Sequence, residues 1–153
     1  MLAFLFSIAV FSWIILRWPF FFHRGIPSIA LILVLILKTI AGYISYQYPS
    51  IYFAGGDGAI YLNGGYDLVI FSGGNPIRFL ELFFNLNRGI PEWEKIYTQI
   101  IYWDSNSSFN FINDNRNAIR INALVSLLSF KNIGIHIIIL NFLSLIGLNA
   151  FFI

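Results

Sequence analysis

The sequence predicts an all-α membrane protein with about three transmembrane helices and a partly interfacial helical segment between the second and the third. Three observations lead there. Hydrophobic residues make up 58% of the chain and charged residues 10%, against about 45–50% and about 25% in soluble domains. A chain of 153 residues buries a modest fraction of its surface, so the apolar surplus must face lipid or other membrane helices. Only three of the sixteen Lys, Arg, Asp and Glu residues precede residue 50, which leaves the N-terminal third almost uncharged. Three long apolar runs complete the pattern.

The first run is Met1–Leu16, closed by Arg17, Trp18 and Pro19. At ~1.5 Å per residue it reaches roughly 24 Å, short of a bilayer core of ~30 Å. Extension into Trp18–Phe22, with Arg17 snorkelling, would repair the mismatch. The second run, Ile26–Tyr46, starts with Pro27 in a first helical turn, carries the single charge Lys38, and ends among Tyr43, Tyr46 and Tyr48. Such aromatics mark a membrane edge. The third run is Asn132–Ile153. It has a full span's length, and its apolar, untailed end is expected to reflect truncation of a longer polytopic chain. The N-terminus lacks the basic region and small-residue cleavage site of a secretory signal, so the first run is expected to persist in the mature protein. The expected division is a two-helix hairpin over 1–46, an extracytoplasmic segment over 47–131 and a third span over 132–153.

Orientation follows from the short loop between the first two runs, which contains Arg17, His23 and Arg24 and no acid. By the positive-inside rule this loop is cytoplasmic. The N-terminus and residues 47–131 are then outside a bacterial inner membrane. The long segment carries six basic and seven acidic residues, a near-neutral balance that does not oppose the assignment. A net charge of +2 without a basic run gives no support for nucleic acid as a partner; the partner is the lipid bilayer. Absent cysteine excludes disulfides and thiolate metal sites.

Within 47–131 aromatic and aliphatic residues recur throughout, so the segment is no flexible linker. Ile77–Leu86 after Pro76 reads as a short helix. Pro91–Trp103 places Trp93, Ile96, Tyr97, Ile100 and Ile101 at helical spacing. Asp114 can cap a helix through Phe130 whose apolar face holds Ile119, Leu124, Leu127 and Leu128. These helices are expected to lie along the membrane surface or to cap the bundle, with Asp104–Asn110 as a polar loop. Three glycine pairs, Gly55-Gly56, Gly64-Gly65 and Gly73-Gly74, recur every nine residues. The calcium-binding nonapeptide needs an Asp at its sixth position, where this chain has Ile60, Val69 and Arg78. The glycines therefore read as turns near the membrane surface.

Two places suit chemistry. Tyr52–Tyr61 sets one carboxylate, Asp57, on a glycine-rich stretch just outside the second span. Beside low-dielectric lipid a carboxyl can have a raised pKa or hold a divalent cation, and either serves a general base acting on a hydroxyl. Spacing alone favours the plainer reading of Asp57 as a turn cap. In the second place, Asp114–Arg120, Arg116 and Arg120 fall four residues apart on one helical face near an N-terminus. That arrangement suits a phosphate or pyrophosphate. It equally suits lipid headgroups, or pairing with Asp114 and Asp104. Lys38 and His136 fall inside proposed spans, where ionisable residues face a partner or a polar cavity; an interfacial position also accounts for His136. Nucleotide loops, zinc-protease, nucleophile-elbow and dinucleotide-binding signatures are all missing from the sequence.

The order of these parts carries a resemblance. A short first span, a basic turn and a second span with Lys38 are followed by Gly55-Gly56-Asp57 with Tyr61. Then come Asn113-Asp114-Asn115-Arg116, Ile119-Arg120-Ile121-Asn122-Ala123, His136 and Phe142-Leu143-Ser144-Leu145-Ile146-Gly147. This resembles the first third of bacterial polytopic proteins similar to the GT-C class of membrane glycosyltransferases. The resemblance implies a polyprenyl-phosphate sugar as donor. It assigns Asp57 the role of base or metal ligand, and Arg116 and Arg120 the donor phosphate. Two departures stand against it: the acid follows the second span rather than the first, and no second acidic motif lies near it. The rival expectation is a non-catalytic membrane component, a polysaccharide polymerase or export subunit or a transporter piece, in which Lys38 and His136 line a path or hold helices together.

Overall fold

A computed structural model gives the chain's architecture. It describes residues 2–22, 26–52, 57–87, 89–100, 103 and 114–151, and of residues 49–52, 57 and 114 the backbone alone. Outside the described residues lie His23 and Arg24 of the basic loop, the pair Gly55-Gly56, Asn113 and the expected loop Asp104–Asn110. Among the described residues the fold is all-helical: α1 (Leu2–Arg17), α2 (Ser28–Tyr52), α3 (Asp57–Phe71), α4 (Pro76–Phe84), α5 (Pro91–Tyr97), α6 (Asp114–Ser129) and α7 (Ile133–Ala150). The chain divides into two compact units, one formed by Met1–Tyr48 with Asn132–Ile153, the other by Pro49–Lys131.

The first unit is built from α1, α2 and α7. Two of its helices are long and apolar enough to cross a membrane: Ser28–Tyr48 of α2 and the whole of α7. α1 is shorter, with 16 residues. The expected extension of this helix through Trp18–Phe22 does not form. Pro19 has no N–H to continue the ladder, and the chain turns instead into a 3-10 segment, Pro19–Phe21. That turn folds Phe21 into the core with Ile15, Leu31, Ile32, Leu35, Phe142 and Leu145. Ring centroids of Phe11 and Phe142 lie 4.6 Å apart, and the Asn149 amide donates to the Phe20 carbonyl at 2.8 Å. Gly134 meets Phe4 at the other end of the same pair of helices. Contacts therefore advance in one direction, and α1 runs parallel to α7. α2 runs antiparallel to α7: Lys38 meets Ser144, whereas Gly42 meets Ile137 and Asn141.

At Gly42 a Cβ would stand 3.0 Å from the Asn141 amide and from Ile137, so a small residue sets this crossing, as is common between membrane helices. α7 opens on Asn132, whose Oδ1 accepts from the Ile135 N–H at 3.2 Å, a side-chain cap for an otherwise orphaned donor. Just before it, Phe130 and Lys131 both adopt left-handed backbone, φ 50° and 59°, which ends α6 abruptly and lets α7 start two residues later.

In the second unit α3 packs against α6. Of the two glycine pairs among the described residues, Gly73-Gly74 makes the expected turn, φ 61° and 77°. Gly64-Gly65 sits inside α3 instead, a correction with a clear physical cause. A Cβ on Gly65 would lie 2.7 Å from the Ala123 amide nitrogen and the Asn122 carbonyl carbon, and one on Gly64 3.1 Å from Ile119. These glycines let two backbones touch. Tyr61 bonds Asn115, Gly64 meets Ile119 and Gly65 meets Asn122 and Ala123, so α3 and α6 run parallel with their N-termini at one end.

Two short helices complete this unit. α4 begins at Pro76, with Asn75 Oδ1 accepting from the Ile77 and Arg78 N–H groups at 2.9 and 3.3 Å. It ends on Asn85, in the left-handed conformation at φ 57°. α5 begins at Pro91 but stops at Tyr97, short of the helix expected to reach Trp103. Turns carry the chain onward while Ile100 and Trp103 remain buried. The unit's core gathers Leu68, Phe79, Leu82, Tyr97, Ile100, Trp103, Ile119 and Ala123.

Candidate functional site

α6 brings Arg116 and Arg120 onto one indole. Trp103 is fully buried, stacked on Tyr97 with centroids 5.3 Å apart and planes 8° from parallel. The Arg116 guanidinium stands 5.8 Å from its ring centroid and that of Arg120 5.4 Å, within cation–π range. Backbone carbonyls fix both groups further. Arg116 Nε donates to the Trp103 carbonyl at 2.7 Å. Arg120 Nε donates to the Phe83 carbonyl at 2.6 Å, where the last carbonyls of α4 lack helical donors, and its Nη1 reaches Asn117 Oδ1 at 3.3 Å. Partial burial, and then the nearby Arg116 charge, lower the pKa of Arg120 from its ordinary value, with an opposing contribution from Tyr97. Two like charges are thus held together in partly desolvated surroundings. Each guanidinium is built to offer several N–H donors to phosphate.

Asp57 is the first residue of α3. One turn on, Tyr61 donates its hydroxyl to Asn115 Oδ1 at 2.7 Å, immediately before Arg116. The parallel α3–α6 pair thereby places the backbone of Asp57 and the arginine-bearing turn of α6 at the same end of the unit. The side chains of Asp57 and Asp114 lie outside the described residues. Among the described residues no group of three His, Cys, Asp or Glu side chains is placed to hold a metal ion.

Two residues of note went unremarked in the sequence, of which only Trp103 touches the arginine pair. Trp103 supplies the platform, yet it is separated from the arginines by the polar stretch beginning at Asp104. Asp67, on α3, is half-buried and burial pushes its carboxyl up, favouring the protonated form. Its signal in sequence was an acid embedded in the apolar run Tyr66–Phe71.

The other two candidates belong to the first unit. Lys38 Nζ donates to Ser144 Oγ at 3.1 Å, and the Lys38 carbonyl accepts from Asn141 Nδ2 at 3.1 Å. His136 is buried, 1% exposed, in the first turn of α7. An apolar groove of about 390 Å³ lined by Phe4, Ile40, Tyr43, Ile44 and Ile133 lies in the same unit. No family model, curated protein or solved structure matches the chain. What stands, among the described residues, is an all-helical fold with two helices able to cross a membrane by length and composition, and an arginine pair on a buried indole in the second unit.

Proposed function

We propose that the chain is an integral membrane protein of a bacterial inner membrane that acts on a polyprenyl-phosphate-linked sugar at the outer face. In this reading α2 and α7 span, α1 packs beside them, and residues 49–131 lie outside the cytoplasm. Support for the membrane comes from surface: only 17% of the α2 span and 39% of the α7 span are buried within the chain, leaving apolar faces that want lipid. Support for the ligand comes from one observation, two guanidinium groups seated on the same buried indole. Arg116 and Arg120 take the donor phosphate; Asp57 on the leading turn of α3 serves as base or divalent-cation ligand.

The test is binding of a polyprenyl phosphate to the full chain in nanodiscs, followed by transfer assays with a lipid-linked sugar. Replacing both Arg116→Gln and Arg120→Gln should weaken binding by about 10- to 100-fold, as expected for losing charge-assisted hydrogen bonds. Asp57→Asn should leave binding and membrane insertion intact while abolishing transfer. Unchanged affinity in a folded double variant would remove the phosphate role.

A second reading, a non-catalytic membrane component, is favoured by Lys38. Its ammonium and carbonyl both engage α7, which is the behaviour of a helix fastener. Lys38→Met should then lower the thermal stability of the first unit in detergent by about 0.6–1.7 kcal/mol, the range for polar contacts between membrane helices. Transfer activity that persists in Lys38→Met and vanishes in Asp57→Asn separates the two readings.

A further inference from the structure

We infer that the groove between α4 and α5 binds a phosphate joined to a primary ammonium, the headgroup chemistry of phosphatidylethanolamine. The groove measures about 360 Å³ and is lined by Asn75, Arg78 and Glu81 from α4 and its cap, and by Glu92, Trp93 and Ile96 from α5, with Ile77 at one edge. Its lining side chains are other than those of the arginine site, although α4 and α5 also carry the Phe83 carbonyl and the Tyr97 ring of that site, and nothing in the sugar-transfer reading uses them. The inference rests on the membrane assignment alone.

Three charged side chains surround this space without neutralising one another. Arg78 and Glu81 are three positions apart on one helix, a spacing at which opposite charges commonly pair. Among the described residues they form no ion pair, and neither do Arg78 and Glu92. The Arg78 guanidinium sits instead 5.7 Å from the Trp93 ring centroid, held by the indole at a fixed place beside the groove. Asn75 commits its Oδ1 to the α4 N–H groups, which leaves its amide nitrogen as a donor. One wall therefore offers a cation and an amide donor, and two carboxylates offer acceptors. A ligand that satisfies all of them carries an anion and a hydrogen-bonding cation together. Phosphate would take the Arg78 and Asn75 side, and an ammonium the Glu81 and Glu92 side.

The alternatives fit less well. A quaternary ammonium has no N–H for the carboxylates and is recognised by open aromatic faces. The face of Trp93 already carries Arg78, and the indole packs on the hydrophobic core. The same occupied face denies a sugar its stacking platform. A water-soluble zwitterion would not explain the neighbouring surface. Ile77, Leu80 and Phe84 follow at helical spacing along the outer side of α4, each at least half exposed, while Phe79 and Leu82 face the core. A charged groove continuing into an exposed apolar strip matches an amphiphile, headgroup in the groove and acyl chain along the strip.

The test uses the full chain reconstituted in two vesicle preparations, phosphatidylethanolamine with phosphatidylglycerol and phosphatidylcholine with phosphatidylglycerol, extracted into mild detergent. Lipid retained per protein is read by mass spectrometry. The expected result is about tenfold greater retention of phosphatidylethanolamine than of phosphatidylcholine, the factor that goes with one or two charge-assisted hydrogen bonds. Glu81→Gln with Glu92→Gln should erase that preference, and Arg78→Gln should reduce retention of phosphatidylethanolamine to the phosphatidylcholine level. All three are surface substitutions, and unchanged helicity by circular dichroism confirms folded variants. Equal retention of the two lipids by the wild type overturns the inference, as does a preference that survives the double carboxylate substitution. Binding of free phosphoethanolamine as tight as that of dispersed phosphatidylethanolamine overturns the assignment to a lipid, because the acyl strip then contributes nothing. Failure of the wild type to co-float with either vesicle overturns the membrane reading beneath it, a result separable from loss of preference.

Discussion

Gly65→Val should drive α3 away from α6 and unfold the second unit, losing about 3 kcal/mol or more, the upper end for overpacking. The obstacle is backbone, since even a methyl at residue 65 would press against the Ala123 nitrogen and Asn122 carbonyl carbon at 2.7 Å. No rotamer change on α6 makes room. Gly58→Ala on the same helix meets nothing within 4 Å, and should be neutral or stabilise by up to about 1 kcal/mol through lower unfolded-state entropy. Emission of Trp103 reports the difference when Trp13, Trp18 and Trp93 are replaced by Phe. A red-shifted maximum for Gly65→Val beside an unshifted one for Gly58→Ala is the expected outcome. Equal behaviour of the two variants would mean that α3 and α6 are not in backbone contact.

Trp103→Ala should cost about 3–5 kcal/mol, the usual loss for deleting a buried tryptophan. It would also scatter the arginine pair. Its indole is fully buried, stacks on Tyr97 and carries two guanidinium groups. Trp103→Phe keeps a ring at that place and should give a smaller loss, with phosphate-ligand binding weakened rather than abolished. Chemical denaturation followed by circular dichroism measures the stability; the nanodisc assay measures the binding. If Trp103→Ala leaves polyprenyl phosphate affinity unchanged in folded protein, the indole does not organise the site.

Much of the helical plan was legible in the residues. α2 and α7 announce themselves as uninterrupted apolar runs, and α4 and α5 by Pro76 and Pro91 at their starts. α6 shows an acid at its head and an amphipathic period. α3 was hidden because Gly58, Gly64 and Gly65 each disfavour a helix by roughly 1 kcal/mol relative to alanine. Packing on α6 overrides that local preference, and two of the residues that spoke against a helix, Gly64 and Gly65, form its contact surface. The misjudged end of α5 has another cause. Ile100 and Trp103 keep an apolar spacing because they are buried, and turns bury them as well as a helix would. At the site, the spacing of Arg116 and Arg120 was readable, whereas their anchors were not. A backbone carbonyl such as that of Phe83 has no signature in sequence, and Trp103 reaches the arginines only through the tertiary fold.

The parallel course of α3 and α6 has a temporal consequence. Tyr61 and Asn115, partners at the leading end of the two helices, are separated by 54 residues in the chain. At about 5–20 residues per second, a ribosome needs roughly 3–11 s to make that stretch. Throughout this interval the glycine face of α3 is without its partner, because the helix that fits it does not yet exist. α7 begins only a few residues after α6 ends, so the second unit closes at almost the moment its following apolar helix emerges. Assembly of the two events is therefore nearly simultaneous, and a pause in translation near residue 113 would leave α3 waiting longest for its partner.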